Sequence, residues 1–150
     1  ENLGYCGGLL IVNGVGRPLE FHSSAPIIPN EAQRILYGAT LEEFIACDQI
    51  AVSLLGKCKK KPTVLLIDDE RLNSVALIAE CDVVFVLNEE SGLSENNGGE
   101  LTVNNQNVRV VKGSHENLAN SLREFTEILP LQEPLSRIYQ AINAAHSEAA

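Results

Sequence analysis

A chain of 150 residues has the length of one ordinary domain, and a hydrophobic fraction of 45% is enough for a core without disulfides or bound metals. The net charge of −9 and the pI near 4.7 repel phosphate backbones and anionic headgroups, so we expect binding to neither nucleic acid nor membranes. No apolar run approaches the ~20 residues of a membrane span.

The N-terminal part of the chain predicts a β-hairpin. Residues 8–13 form an unbroken apolar run of strand length, which is followed by a glycine-rich turn. Residues 17–23 then alternate between apolar and polar side chains, which places Glu20 and His22 together on one face.

Two helices are predicted after the hairpin. Asn30 is placed to cap a short helix over residues 31–37. Thr40 is placed to open a second helix, which runs to about Leu55 and is apolar around much of its circumference. We therefore expect the second helix to be largely buried.

A strand–helix–strand unit is predicted in the middle of the chain. Two apolar runs over residues 63–67 and 82–87 are typical of buried parallel strands, and residues 71–80 between them fit a short helix. We expect the first strand to be central in its sheet. Four side chains of the two strands are expected to be almost wholly buried: Val64, Leu66, Val84 and Val86.

The C-terminal part of the chain predicts a loop, a hairpin and two helices. Residues 91–99 carry three glycines and one apolar side chain, so we expect a mobile loop. Residues 101–103 and 108–111 predict a second hairpin, and Ser114 is placed to cap the first helix. Residues 132–150 predict a last amphipathic helix, peripheral or at an interface.

These elements predict one globular domain over residues 1–150, of the α/β or α+β class. Its mixed sheet is opened by the N-terminal hairpin, contains one central βαβ unit, is covered by helices, and is followed by two C-terminal helices. The chain contains four cysteines but no C-x-x-C pair and no histidine at zinc-finger spacing. Since a chain of this size needs no disulfides, we expect reduced thiols and a cytoplasmic location. The absence of methionine predicts either that residues upstream of Glu1 have been removed or that the chain is a fragment.

Three acids follow the first strand of the βαβ unit and form the candidate site. Ligands of open α/β sheets bind at the carboxyl ends of strands, where Asp68, Asp69 and Glu70 could hold Mg²⁺ or accept a phosphoryl group. An aspartate in this place can also simply cap the next helix. Three further residues are candidates for the rim of the site: His22, Asn88 and Glu89.

The order of elements over residues 8–88 resembles that of ribonuclease-H-like nucleases. That resemblance implies metal-assisted nuclease chemistry with a catalytic aspartate in the first strand. In this chain the first strand, residues 8–13, contains no carboxylate. The acids Asp68 and Asp69 are also similar in placement to the phosphoacceptor region of response-regulator receivers, and Lys112 follows a later strand as that family's lysine does. No acid pair follows the first strand here.

No dinucleotide loop, Walker loop or nucleophile elbow occurs in the sequence. We therefore expect a protein-interaction or assembly module without catalytic activity or cofactor, acting as a homo-oligomer or with another protein. The alternative is a metal- or phosphate-dependent enzyme that performs phosphoryl transfer or nuclease-like chemistry. Its Mg²⁺ would lie at the acids after the first strand of the βαβ unit.

Overall fold

The computed structural model describes residues 4–87 and 99–149, the side chains of 146–149 excepted, and within them the strands form two separate sheets. The smaller sheet is the predicted N-terminal hairpin, in which strand β1 (Gly8–Val12) pairs antiparallel with strand β2 (Pro18–Ser23). The hairpin prediction is confirmed, and the hairpin stands beside the mixed sheet as a sheet of its own.

The larger sheet has four strands in the order β3, β4, β6, β5. Strand β3 (Val64–Ile67) runs parallel to strand β4 (Asp82–Val86). Strands β5 (Glu100–Val103) and β6 (Gln106–Lys112) form the second predicted hairpin, and β6 pairs antiparallel with β4. The predicted mixed α/β fold class is confirmed.

Strand β3 lies at the edge of this sheet, and the prediction that it is central was wrong. Its side chains Leu65 and Ile67 are buried against the connection to β4, whereas Val64 and Leu66 are only partly buried under the C-terminal helices. The near-complete burial expected for Val64 and Leu66 was also wrong, because the C-terminal helices cover that face of β3 only in part. The inner strand β4 is buried as expected at two positions: Val84 and Val86.

Residues 31–57 form a nearly continuous helical stretch whose winding changes along its length. Helix α1 (Glu31–Tyr37) is followed by a 3₁₀ turn (Gly38–Thr40) and by helix α2 (Leu41–Glu43). A π-helical stretch (Phe44–Ala51) then leads into helix α3 (Val52–Lys57). The second predicted helix is therefore present, but much of it is π-helical.

The cap predicted for α1 is present, and the cap predicted at Thr40 is not. Asn30 Oδ1 accepts a hydrogen bond from Gln33 N at 2.8 Å, and Gln33 Oε1 accepts one from Asn30 N at 3.0 Å. Thr40 already has helical backbone angles, and its hydroxyl donates back to Tyr37 O at 2.6 Å. Because the chain does not leave the helix there, the prediction at Thr40 was wrong.

The connection between β3 and β4 is a 3₁₀ helix (Glu70–Leu77) rather than an α-helix. Asp69 caps it, and Val75 is its buried residue. This short helix covers the face of the sheet that carries Leu65 and Ile67. The path of this helix therefore determines where the three acids after β3 lie.

Two C-terminal helices cover the other face of the sheet. Helix α4 (His115–Ile128) begins at Ser114, whose side chain accepts from Asn117 N at 3.2 Å, as predicted. Helix α5 (Gln132–Ala149) follows after a short break. Their core with the sheet consists of eight buried side chains: Val84, Val86, Val103, Val108, Leu118, Leu122, Leu131 and Leu135.

Leu135 on α5, and Leu131 just before that helix, are both buried in this core. None of the helices described is long and apolar enough to cross a membrane. The loop expected to be mobile, residues 91–99, lies outside the described residues except for Gly99.

Candidate functional site

A cleft of about 520 Å³ opens at the carboxyl ends of β3 and β4, where the candidate acids were expected. Helix α5 forms its opposite wall. Ten residues line it: Asp68, Glu70, Phe85, Val86, Leu87, Arg109, Gln132, Leu135, Ser136 and Tyr139. Two of the three predicted acids therefore face this cleft.

Asp68 lines the cleft and contacts helix α5 across it. The hydroxyl of Tyr139 lies 3.2 Å from each of its carboxylate oxygens. Partial desolvation by the cleft walls raises the pKa of Asp68, although the hydrogen bond from Tyr139 opposes the shift. Desolvation and the neighbouring carboxylate raise the pKa of Tyr139 to about 12. Tyr139 is therefore a neutral hydrogen-bond donor to the Asp68 carboxyl group at neutral pH.

Asp69 turns away from the cleft and acts as a cap. Its Oδ1 accepts from Arg71 N at 2.9 Å, and its Oδ2 accepts from Arg71 Nη2 at 2.6 Å. The hydrogen bonds from Arg71 hold the pKa of Asp69 below its usual range. Its carboxylate is thus engaged by the start of the 3₁₀ helix rather than turned toward Asp68.

Glu70 is paired with a cation in the cleft wall. Arg109, on β6, reaches the two carboxylate oxygens of Glu70 at 3.3 and 3.2 Å and also reaches Asn73 Oδ1 at 3.2 Å. Its guanidinium carbon lies 4.4 Å from the centroid of the Phe85 ring. The cleft that Asp68 lines therefore also contains the guanidinium of Arg109, which was not predicted from the sequence.

The three residues suggested for the rim do not gather at this cleft. His22 lies on β2 and lines a separate shallow pocket with Lys59 and Lys60. Asn88 and Glu89 lie outside the described residues.

Around His22 the structure brings together a second group of polar side chains. Glu20 accepts hydrogen bonds from the backbone amides of Lys59 and Lys60, at 3.0 and 2.7 Å, and lies 3.0 Å from His22 Nε2. The hydrogen bond with His22, followed by those two amides, lowers the pKa of Glu20 to about 2. Burial raises the pKa of the nearby Cys58 thiol.

The ligand atoms of Glu20, His22 and Cys58 all lie within 4.8 Å of one another. Among the described residues they are the one group of three such side chains close enough to share a metal ion. The alternation of β2 placed Glu20 and His22 on one face, but nothing in the sequence joined Cys58 to them.

Helix α1 presents an apolar surface to solvent. None of its seven residues is buried, although Ala32, Ile35 and Leu36 recur at the spacing of one helical face. Ile35 is 72% exposed and Leu36 is 82% exposed. The side of the helix that normally faces a core therefore faces water here.

Protein-family models, curated proteins and solved structures were compared with the chain, and none of them matches it. Neither the ribonuclease-H-like nor the receiver resemblance therefore gains support from a relative. Geometry and chemistry alone therefore define three candidate sites. They are the cleft, the group of Glu20, His22 and Cys58, and the exposed apolar face of α1.

Proposed function

We propose that the protein is an interaction module whose helix α1 docks into an apolar groove of a partner protein that carries basic residues. The observation that supports the proposal is the apolar face of α1, formed by Ala32, Ile35 and Leu36, which lies in water. Amphipathic helices that bind in grooves present anchors at this spacing. We call these three residues the docking face.

The opposite side of α1 is held against the rest of the domain. Tyr37 stacks on Phe44 with ring centroids 4.2 Å apart, and the capping box at Asn30 and Gln33 fixes the first turn. The helix is therefore formed before any partner arrives, which reduces the conformational entropy lost on binding.

Charge favours a basic partner over a second copy of this chain. The exposed Glu31 lies one turn before Ile35, and the exposed Glu42 lies on the neighbouring helix α2. A second copy would bring another net charge of −9 to the same surface, whereas Lys or Arg residues around a groove would be attracted.

The four free thiols are compatible with the reducing cytoplasm that we propose for this interaction.

The test places a photo-crosslinking residue at Leu36 and, as a control, at Leu77, which is 87% exposed on another element. Any protein captured at Leu36 but not at Leu77 is then purified and titrated against the unmodified chain. We expect Leu36→Asp to weaken that binding about thirtyfold, since a central anchor contributes about 2 kcal/mol. The affinity should fall as salt is added.

Leu77→Asp is the matched control and should bind like the unmodified chain. Equal losses in both variants, or no capture specific to Leu36, would rule out docking through α1. Dimers that sedimentation detects and that Leu36→Asp dissociates would show that the occupant is a second copy, contrary to the basic-partner proposal.

A second candidate function is a phosphate-using enzyme at the cleft, and the observation that favours it is that Asp68 and the guanidinium of Arg109 line the same cleft. A phosphate group could replace the exposed carboxylate of Glu70 on Arg109, because such surface pairs contribute little stability. Asp68 would then accept a proton or hold a Mg²⁺ ion bridged to the phosphate.

Titration calorimetry with a phosphate monoester, with and without Mg²⁺, tests this candidate. We expect binding that Arg109→Gln abolishes and that Arg123→Gln, at an exposed position on α4, leaves unchanged. The absence of binding at millimolar ligand, or equal effects of both substitutions, would exclude a phosphate site at this cleft.

A further inference from the structure

Strand β2 of the N-terminal hairpin has its polar face turned inward and its apolar face turned outward. Leu19 and Phe21 are exposed, while Glu20 and His22 are partly buried, with side chains 13% and 26% exposed. In an antiparallel sheet with one face packed on a core, the apolar side chains normally form the buried face. The inverted arrangement brings two metal-ligating side chains toward Cys58, the residue that follows helix α3 as its C-cap.

We propose that Glu20, His22 and Cys58 form a zinc site that joins the hairpin to the end of α3. Three different ligand types meet there from two parts of the chain. Their ligand atoms lie within 4.8 Å of one another, and ligands of a tetrahedral zinc ion lie about 3.3–3.8 Å apart. Small side-chain rotations are therefore enough to close the site around an ion.

The carboxylate of Glu20 is already oriented as a ligand. Each of its oxygens accepts one backbone amide, from Lys59 and from Lys60, which fixes the plane of the carboxylate and leaves a further lone pair on each oxygen. Ligating groups in zinc proteins are usually held by such outer hydrogen bonds. The 3.0 Å contact between Glu20 Oε1 and His22 Nε2 marks the place where an ion would replace a shared proton.

The ligand set selects the metal. A cysteine sulfur is a poor ligand for Mg²⁺ and Ca²⁺, which take oxygen, and the combination of sulfur, imidazole and carboxylate suits Zn²⁺. The ion binds the thiolate, so the proton of Cys58 is released to solvent on binding. Three protein ligands leave a fourth position for water or for an exchangeable anion on the side of the shallow pocket beside Lys59 and Lys60.

The test starts from the reduced, chelator-treated full chain. Zn²⁺ titration should show one equivalent bound and a rise in the melting temperature, because an ion that binds the native state stabilises it. Substituting Co²⁺ should produce a sulfur-to-cobalt charge-transfer band. Cys58→Ser should abolish that band and weaken Zn²⁺ binding by at least about tenfold, and His22→Gln should also weaken it at least about tenfold.

Cys81→Ser is the matched control, since Cys81 is also a partly buried free thiol but lies outside the group. It should keep the band and the affinity of the unmodified chain. Circular dichroism of each variant without metal establishes that it is folded. If Cys58→Ser does not fold, His22→Gln provides the test of zinc binding in its place. The absence of saturable Zn²⁺ binding, or a cobalt band that survives Cys58→Ser, would overturn the proposal and leave Glu20 and His22 as a hydrogen-bonded pair only.

Discussion

The hydroxyl of Tyr139 lies 3.2 Å from both carboxylate oxygens of Asp68, and so links the last helix to the end of strand β3. This hydrogen bond stabilises the ionised carboxylate and opposes the effect of desolvation. In Tyr139→Phe we expect the pKa of Asp68 to rise further, as measured by carbon NMR titration. Tyr37→Phe, outside the cleft, should leave it unchanged, and a fall in Tyr139→Phe would contradict this assignment.

Glu20 should make the stability of the domain depend on acid pH. Its folded pKa is about 2 and its ordinary value is 4.5, so ionised Glu20 stabilises the native state above pH 4.5. That contribution is lost as the pH falls from 4.5 through about 2. In urea unfolding, Glu20→Gln should be less stable than the unmodified chain at pH 7, with a difference that shrinks over this range.

Glu80→Gln is the control for that measurement. Glu80 pairs with Lys61 at 3.4 Å, but both side chains are largely exposed, so little stability depends on the pair. A difference for Glu20→Gln that stays constant from pH 7 down to acid would mean that the carboxylate charge is not what stabilises the fold.

Asp69 should act through its cap rather than through a ligand. Asp69→Ala removes the acceptor for Arg71 N and should cost about 1 kcal/mol in urea unfolding at neutral pH. Asp69→Asn should cost less, because Asn and Asp cap comparably. A loss of divalent-ion binding in Asp69→Asn would contradict the capping role and identify Asp69 as a metal ligand.

Truncating a buried helical leucine should lower the free energy of unfolding more than truncating an exposed one. Leu118 on α4 is fully buried, so Leu118→Ala should lower the free energy of unfolding by about 2–5 kcal/mol. Leu36 on α1 is exposed, and Leu36→Ala should change it by less than about 0.5 kcal/mol. A large cost at Leu36 in denaturant titration would mean that the docking face has a partner within this chain.

Local patterns in the sequence predicted the elements that depend on a few neighbouring residues. The caps at Asn30 and Ser114 and the first hairpin follow from side chains within three or four positions, and all are present. The place of β3 in the sheet depends on which strand pairs with β4, and no local pattern encodes that choice. The cap predicted at Thr40 was wrong for a different, local reason, because the preceding helical stretch continues through that residue.

The three candidate acids follow β3 in the structure as the sequence indicated, but the residues that contact them were not predicted. Tyr139 lies 71 positions from Asp68, and Arg109 lies 39 positions from Glu70, so only the folded chain brings them together. Cys58 reaches Glu20 in the same way, through the docking of the hairpin against the end of α3.

The contacts of helix α5 with the hairpin have a consequence for synthesis. Arg137 donates to Gly16 O at 2.7 Å across 121 positions, and a side chain at Gly8 would lie 2.7 Å from Ile138. A hairpin that is translated early therefore lacks one of its supports until α5 has left the ribosome. We infer that hairpin docking is a late folding step, and that a nascent chain stalled before α5 leaves strand β1, against which α5 packs, open to chaperones and proteases.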